Sequence, residues 1–307
     1  MIRNALIAAA ALTAVVAPAT AMADPIVGTP APCVTASDLT GPDFNVRKCG
    51  VSDVDQFRVN LDNNGNAYCG PTSLYNVLHY WGHVKGAPIG WGPTRVSDID
   101  PQKQSDYDLN TAAIGKIGFD AKYNGATNLT NLRTAWDIAT QPARDAGWQT
   151  SRGVVSTLEN PDFAGDLARK LNEGPLQLVY GRYKDAPAPY SLQRSGGHIV
   201  TVVSATGSFG GNVIKLKLAD PGRAADHNKT ADYLLTQSDY EALDVTLTKR
   251  VFQQYSPSKD DENTAEDESM EPGTYKWVTR WELTGTRYVS DTTRQMVEGF
   301  NWFDMAK

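Results

Sequence analysis

A cysteine followed at once by Gly-Pro and then by a helical apolar repeat narrows what this chain can fold into more than any other feature. In residues 66–82, Leu74, Val77, Leu78 and Trp81 recur at helical spacing and mark one apolar face. Pro71 suits a first helical turn, where its missing N–H costs nothing, and Gly82 suits the far end. The spacing predicts a buried helix with Cys69 at its mouth. Free N–H groups and the positive end of the helix dipole favour a thiolate there. Most lone buried cysteines are simply small apolar residues. Which role Cys69 takes therefore depends on the partners that the rest of the chain supplies.

Helical patterns dominate the first half and strand patterns the second. Residues 57–61 alternate like a short strand, and Asp62-Asn63-Asn64-Gly65-Asn66 reads as a turn leading to Cys69. A Gly/Pro-rich loop is expected over 85–101, then helices over 106–117, 131–146 and 163–171. Leu176-Gln177-Leu178-Val179-Tyr180-Gly181, residues 198–203 and residues 213–219 read as three strands. A turn at 207–212 makes the last two a hairpin. Trp277, Trp281 and Tyr288 mark a closing hairpin packed on the sheet. Helices followed by strands predict an α+β domain. Residues 259–271, rich in Asp and Glu, read as a solvated insertion.

The first 23 residues are not expected in the folded domain. Met1-Ile2-Arg3, an apolar run over 5–16 and Ala21-Met22-Ala23 form a secretory signal pattern with a small-x-small cleavage site. The mature chain is then exported, to the periplasm or beyond, with no membrane span left after signal removal. Residues 24–50 read as an arm and 51–307 as the catalytic domain. In an oxidising compartment, cysteines at 33, 49 and 69 leave one thiol over. Cys33 and Cys49 flank a short polar loop and are the expected disulfide. The alternative pairs one of them with Cys69.

A formal net charge of −6 and the lack of any Lys/Arg-rich block exclude a nucleic-acid partner. His79 and His83 stand at i and i+4, a spacing that metal ligands use, but no third ligand accompanies them. Neither a metal nor any other cofactor is expected.

His198 follows Gly196-Gly197 and opens a strand, while Asp220 ends the next one in Leu218-Ala219-Asp220-Pro221-Gly222. If the two strands pair, the head of one lies beside the tail of the other, and the carboxylate meets the imidazole. Thiol-dependent acyl transfer needs a nucleophile, a base, an orienter and oxyanion donors.

Taken together, Tyr68-Cys69-Gly70-Pro71-Thr72-Ser73-Leu74, then Gly197-His198-Ile199-Val200-Thr201-Val202-Val203, then Ala219-Asp220-Pro221, resemble a known family. It is the papain-like cysteine peptidases similar to the peptidase domain of bacteriocin-exporting transporters. The resemblance spans residues 53–223. It implies an α+β papain-like fold, with an N-terminal catalytic helix packed on an antiparallel sheet. It also implies Cys69 as nucleophile, His198 as base and Asp220 as orienter. The family's own substrate does not carry over to an exported protein, and the expected partner is a peptide or protein substrate. The family places a Gln six residues before the nucleophile as an oxyanion donor. Asn63 holds that position and is the expected donor, with Asn60 and Asn66 as rivals and Gln56 set further back. The expected activity is that of a secreted cysteine peptidase or amide hydrolase. Its rivals are an acyltransferase or transglutaminase-like enzyme with the same triad, and a binding module whose catalysis has decayed.

Overall fold

Strands are laid down before the helix that carries Cys69. The computed structural model describes residues 33–90, 104–158, 160–188, 191–222, 236–237, 243–256, 273–288 and 290–307. The signal pattern of residues 1–23 and the acidic segment 259–271 lie outside the described residues. So do residues 24–32 of the expected arm and His227. Residues 33–50 carry β1 (Ala36–Asp38) and β2 (Asp43–Arg47), followed by the short β3 (Ser52–Asp53). Cys33 and Cys49 are disulfide-bonded across this stretch, and Cys69 is left as a free thiol.

Four helices follow: α1 (Cys69–His79), α2 (Gln104–Asp120), α3 (Leu129–Ala139) and α4 (Gln141–Asp145). After β4 (Gln149–Ser156) and α5 (Phe163–Glu173), the chain is almost entirely strand. It runs through β5 (Leu176–Asp185), β6 (Ser191–Ser208), β7 (Val213–Ala219), β8 (Thr236–Gln237), β9 (Leu243–Ser256), β10 (Thr274–Thr284) and β11 (Arg294–Ala306).

Nine strands join in one sheet, in the order β1-β2-β6-β5-β11-β10-β9-β7, with β4 added on β11. Because β7 pairs with both β9 and β6, six of these strands close on themselves. Closure removes exposed edges, where unpaired N–H and C=O groups would otherwise invite aggregation. One face of the ring presents alternate residues to a single apolar cluster: Leu178 and Tyr180, Val200 and Val202, Leu216 and Leu218, Val245 and Leu247, Trp281 and Leu283. Phe163, Leu167 and Leu171 of α5 join that cluster.

Strand makes up 42% of the described residues and helix 28%, so a large antiparallel sheet is the body of the fold. This overturns the expected α+β papain-like fold with an N-terminal catalytic helix packed on an antiparallel sheet. Of the strands that change the picture, β2 pairs with β6, and β11 with β4 and β5, over long sequence separations, while β9–β10 and β10–β11 are consecutive antiparallel pairs. In β9 the alternation of Val245 and Leu247 with Thr246 and Thr248 breaks off at Lys249-Arg250, and Gln253-Gln254 interrupt it again. The expected strand over 57–61 is also absent. Alternation there is inverted: Arg58 is 1% exposed and Val59 is 65% exposed. Arg58 gives its Nε–H to the Asp55 carbonyl at 2.9 Å and an Nη1–H to Thr111 Oγ1 at 3.0 Å. Those bonds satisfy a buried cation that strand pairing would have left stranded.

Helix α1 is buried on all sides, from Gly70 to His79, rather than along one stripe. Leu74, Val77 and Leu78 pack with Ile114 and Ile117 of α2, Leu132 and Trp136 of α3, and Val179, Ile199 and Val203 of the sheet. Each such side chain contributes about 1.5–3 kcal/mol when removed from water. Its polar residues are used as ties. Asn76 Oδ1 accepts from Ser52 Oγ at 3.0 Å and from the Val54 N–H at 3.3 Å.

His79 carries the one imidazole buried on α1, and burial followed by the nearby His83 pushes its pKa down to about 3. Below the ordinary imidazole range near 6.5, the unfolded chain therefore takes up a proton that the native state refuses. Stability should fall by about 1.4 kcal/mol per pH unit from near 6.5 towards 3. His79→Phe, which keeps a ring but cannot titrate, should flatten this slope in urea denaturation at pH 5 and pH 7. An unchanged slope in the variant would assign acid lability to another group.

Candidate active site

Two short polar clamps hold the mouth of α1 against the sheet. Gln177 of β5 donates from Nε2 to the Gly70 carbonyl at 3.0 Å, and its own Oε1 accepts from Asn301 Nδ2 at 3.2 Å. Ser73 Oγ and Thr201 Oγ1 of β6 are 2.9 Å apart. Both bonds are fully buried, where dielectric screening is weakest. They fix the first turn of the helix, and with it Cys69, relative to β5 and β6.

The β6–β7 hairpin brings in the other two residues. Thr201 pairs with Ala219 and Val202 with Leu218, so Asp220 leaves β7 beside the start of the apolar run that His198 opens. His198 Nε2 and Asp220 Oδ1 are 2.6 Å apart. Asp220 Oδ1 also accepts the Gly222 N–H at 2.8 Å, and Oδ2 accepts the Tyr288 hydroxyl at 2.5 Å. With Nε2 engaged by Asp220, Nδ1 is the ring nitrogen that remains available to Cys69. Tyr180 stands edge-on to the imidazole, with ring centroids 5.5 Å apart at 71°, and Tyr288 stands edge-on to Tyr180.

The three titratable groups pull one another into charged forms. Burial acts to raise the Cys69 thiol, but the His198 charge, its hydrogen bond and the N–H groups of Ile199 and Gly70 outweigh burial and lower it. For His198, burial acts downward, and the Asp220 charge, aided by Tyr180 and Cys69, carries its pKa well above the ordinary imidazole value. Burial would raise Asp220, yet His198, the Tyr288 hydroxyl and the Gly222 N–H hold it below the usual carboxylate range. Each shift favours the charged form: thiolate on Cys69, imidazolium on His198 and carboxylate on Asp220.

Two glycines are demanded by close approach. A Cβ on Gly222 would stand 2.6 Å from His198 Cε1, so any larger residue displaces the ring. Gly65, at φ +77°, lies so near the Gln56 backbone that a Cβ would fall 1.7 Å from the Gln56 carbonyl oxygen. Gly197 leaves room for a neighbour rather than for substrate: a Cβ there would stand 2.5 Å from Arg194 Nη2.

Cys69, His198 and Asp220 open onto one cleft of about 500 Å³. Asn63 does not. It is exposed, with φ 51°, in the turn Asp62–Gly65, and takes no part in lining the cleft. This corrects the expected oxyanion donor. Gln56 lines the cleft in its place, buried, with its backbone N–H donated to the Pro221 carbonyl at 3.0 Å. Its Nε2 donates one hydrogen to the Gly65 carbonyl at 3.1 Å, and the amide has a second hydrogen to offer. Counting six residues back from Cys69 lands inside the Asn-rich turn, away from the cleft. The Cys69 N–H, at the helix start, has no carbonyl of its own helix to bond.

Sequence reasoning also missed Tyr288, read only as a hairpin aromatic, and Gln177, read only as a strand residue. Neither carries a local signal, since each acts on a residue more than 60 positions away. His79 and His83 stack with centroids 5.3 Å apart, and no group of three or more metal-ligating side chains occurs among the described residues. No helix among the described residues is long and apolar enough to cross a membrane. No family model matches the chain, and neither a curated protein nor a solved structure matches it.

Proposed function

We propose that this protein is an exported cysteine hydrolase that cleaves an amide or peptide bond through a thioester on Cys69. The observation that carries the reading is that one cleft is lined by the free thiol of Cys69 and by His198, itself bonded to the buried carboxylate of Asp220. The motif resemblance to bacteriocin-processing cysteine peptidases supports it at the level of these residues, not of the fold. The Cys33–Cys49 disulfide and the N-terminal signal pattern support export.

In the first step the Cys69 thiolate attacks the substrate carbonyl carbon. A C–S bond forms, and the carbonyl electron pair moves to oxygen. The Cys69 N–H and the Gln56 amide are the donors available to that oxyanion, each worth about 3 kcal/mol at such a site. As the tetrahedral species collapses, the C–N bond breaks and His198 Nδ1–H protonates the departing amine. The neutral imidazole then takes a proton from water as its oxygen attacks the thioester. Collapse releases a carboxylic acid and returns the thiolate, with the proton on His198. Asp220 keeps the ring aligned and favours its charged form throughout.

The proposal is tested by alkylating native, oxidised protein with iodoacetamide across pH. One equivalent should add, at Cys69, and far faster near neutral pH than a free cysteine reacts. Thioester capture by hydroxylamine during turnover of an amide substrate should yield a hydroxamate. A Cys69 that reacts no faster than a free cysteine would remove the nucleophile from the mechanism.

A further inference from the structure

We infer that the cleft selects substrates with an acidic side chain close to the scissile bond, and that Arg182 is the residue that reads it. The inference rests on the proposed hydrolase reading. The chain as a whole is acidic, with a net charge of −6, yet the residues lining this cleft include three arginines and one carboxylate. That carboxylate, Asp220, already accepts from His198, Tyr288 and the Gly222 N–H. Of the arginines, Arg194 is turned inward and neutralised by the buried Glu298. Arg182 is exposed on the cleft wall, and no ion pair of its side chain occurs among the described residues. An arginine offers a planar fork of donors suited to a carboxylate.

Its place on the sheet sets its reach. On β5, Tyr180 pairs with His198, Gly181 with Gly197 and Arg182 with Gly196. Arg182 thus stands two residues along the strand from the tyrosine that packs on the catalytic imidazole, about 7 Å away. That is the span of one to two residues of an extended substrate. Across the pair, Gly196 presents no side chain, and the Arg182 guanidinium lies over it, with Nη1 3.9 Å from where a Cβ would be. On the other side β11 supplies Gln295, and Ser290 and Thr293 continue the wall with neutral hydrogen-bonding groups. A substrate carboxylate therefore meets a cation and neutral donors, without a competing acid other than the occupied Asp220.

The test uses two affinity labels on the intact oxidised protein: iodoacetyl-glutamic acid amide and iodoacetyl-glutamine amide. They differ only in the charge of a side chain set a few bonds from the reacting carbon. Cys69 should react at least about tenfold faster with the acidic label, the factor that one charge-assisted hydrogen bond supplies. Arg182→Gln should bring the two rates within about threefold, and Arg182→Glu should favour the neutral label, while rates with small neutral iodoacetamide stay as in the wild type. Amide substrates differing by Glu against Gln beside the scissile bond should follow the same order in kcat/KM. Equal preference in wild type and Arg182→Gln would overturn the assignment to Arg182, and no preference in the wild type would overturn the substrate class. Failure of the hydrolase reading has a different signature: Cys69 would then react slowly with every reagent, iodoacetamide included.

Discussion

Asp220→Asn should lower Cys69-dependent amide cleavage by about 10³- to 10⁴-fold while leaving the fold intact. The substitution keeps shape and burial. It removes the charge that holds His198 well above its ordinary pKa, and it leaves an amide facing Nε2 at 2.6 Å. With that charge gone, the imidazolium loses its stabilising partner, and the thiolate of Cys69 loses the cation that lowers it. The pH profile should report this directly. In the wild type, activity should rise as Cys69 deprotonates below the usual thiol range and fall as His198 deprotonates above the usual imidazole range. In Asp220→Asn the two limbs should move toward each other and the plateau should shrink. Stability carries the opposite end of the same linkage. Asp220 is depressed in the folded state, so its stabilising contribution is present above the ordinary carboxylate range and is lost as pH falls below it. Cys69→Ala and His198→Ala should each cost more than Asp220→Asn, and the double variant scarcely more than either, because the groups act as a unit. Losses that simply add would mean independent roles and a different mechanism. Gln56→Ala should cost about 10²- to 10³-fold, and Asn63→Ala nothing measurable.

The second large effect is on stability. Glu298→Gln should destabilise the protein by about 3–5 kcal/mol, because it removes the buried carboxylate charge that faces a buried guanidinium. Side-chain exposure is 4% for Arg194 and 0% for Glu298, and they are joined at 2.7 Å through Nε and 3.2 Å through Nη2. Tyr183 donates its hydroxyl to the same carboxylate at 2.8 Å, and the buried Gln254 and Arg280 complete the cluster. Urea denaturation of Glu298→Gln, Arg194→Met and the combined Arg194→Met/Glu298→Leu chain separates two explanations. If the charge pair is the issue, the double variant should recover most of what either single variant loses, since apolar side chains of similar volume replace buried ions well. A double variant as unstable as the sum of the singles would place the effect in packing instead. Arg194 also borders the cleft, so the ion pair braces the wall behind Gly197 and His198.

How much of this was legible in the sequence follows from how far apart the partners are. The helix-mouth setting of Cys69 was legible because it is local: a proline two residues on, a helical repeat after it and the free N–H groups of that first turn are all properties of one short stretch. His198 and Asp220 were found because a single hairpin turn makes neighbours of residues 22 positions apart. The Cys33–Cys49 disulfide was legible for the same reason, the two cysteines being only 16 positions apart. Asn63 was misjudged because counting back from Cys69 assumes a fixed path. The left-handed turn at Asn63, Asn64 and Gly65 loops out and lets Gln56 reach the cleft instead.

What only the tertiary structure decided are the contacts between segments that no local period connects. Tyr288 reaches Asp220 across 68 residues, Gln177 reaches Gly70 across 107 and Glu298 reaches Arg194 across 104. Closure of the sheet is of the same kind. Strands β9, β10 and β11 pair with one another and with β5 and β7 through backbone bonds that any residue except proline can make. Side-chain pattern therefore specifies which face of a strand is buried but leaves the partner open. The sequence determined the chemistry available at one helix mouth and one hairpin. Ring closure determined what stands around it, because register and partner are chosen by the burial of all six strands together.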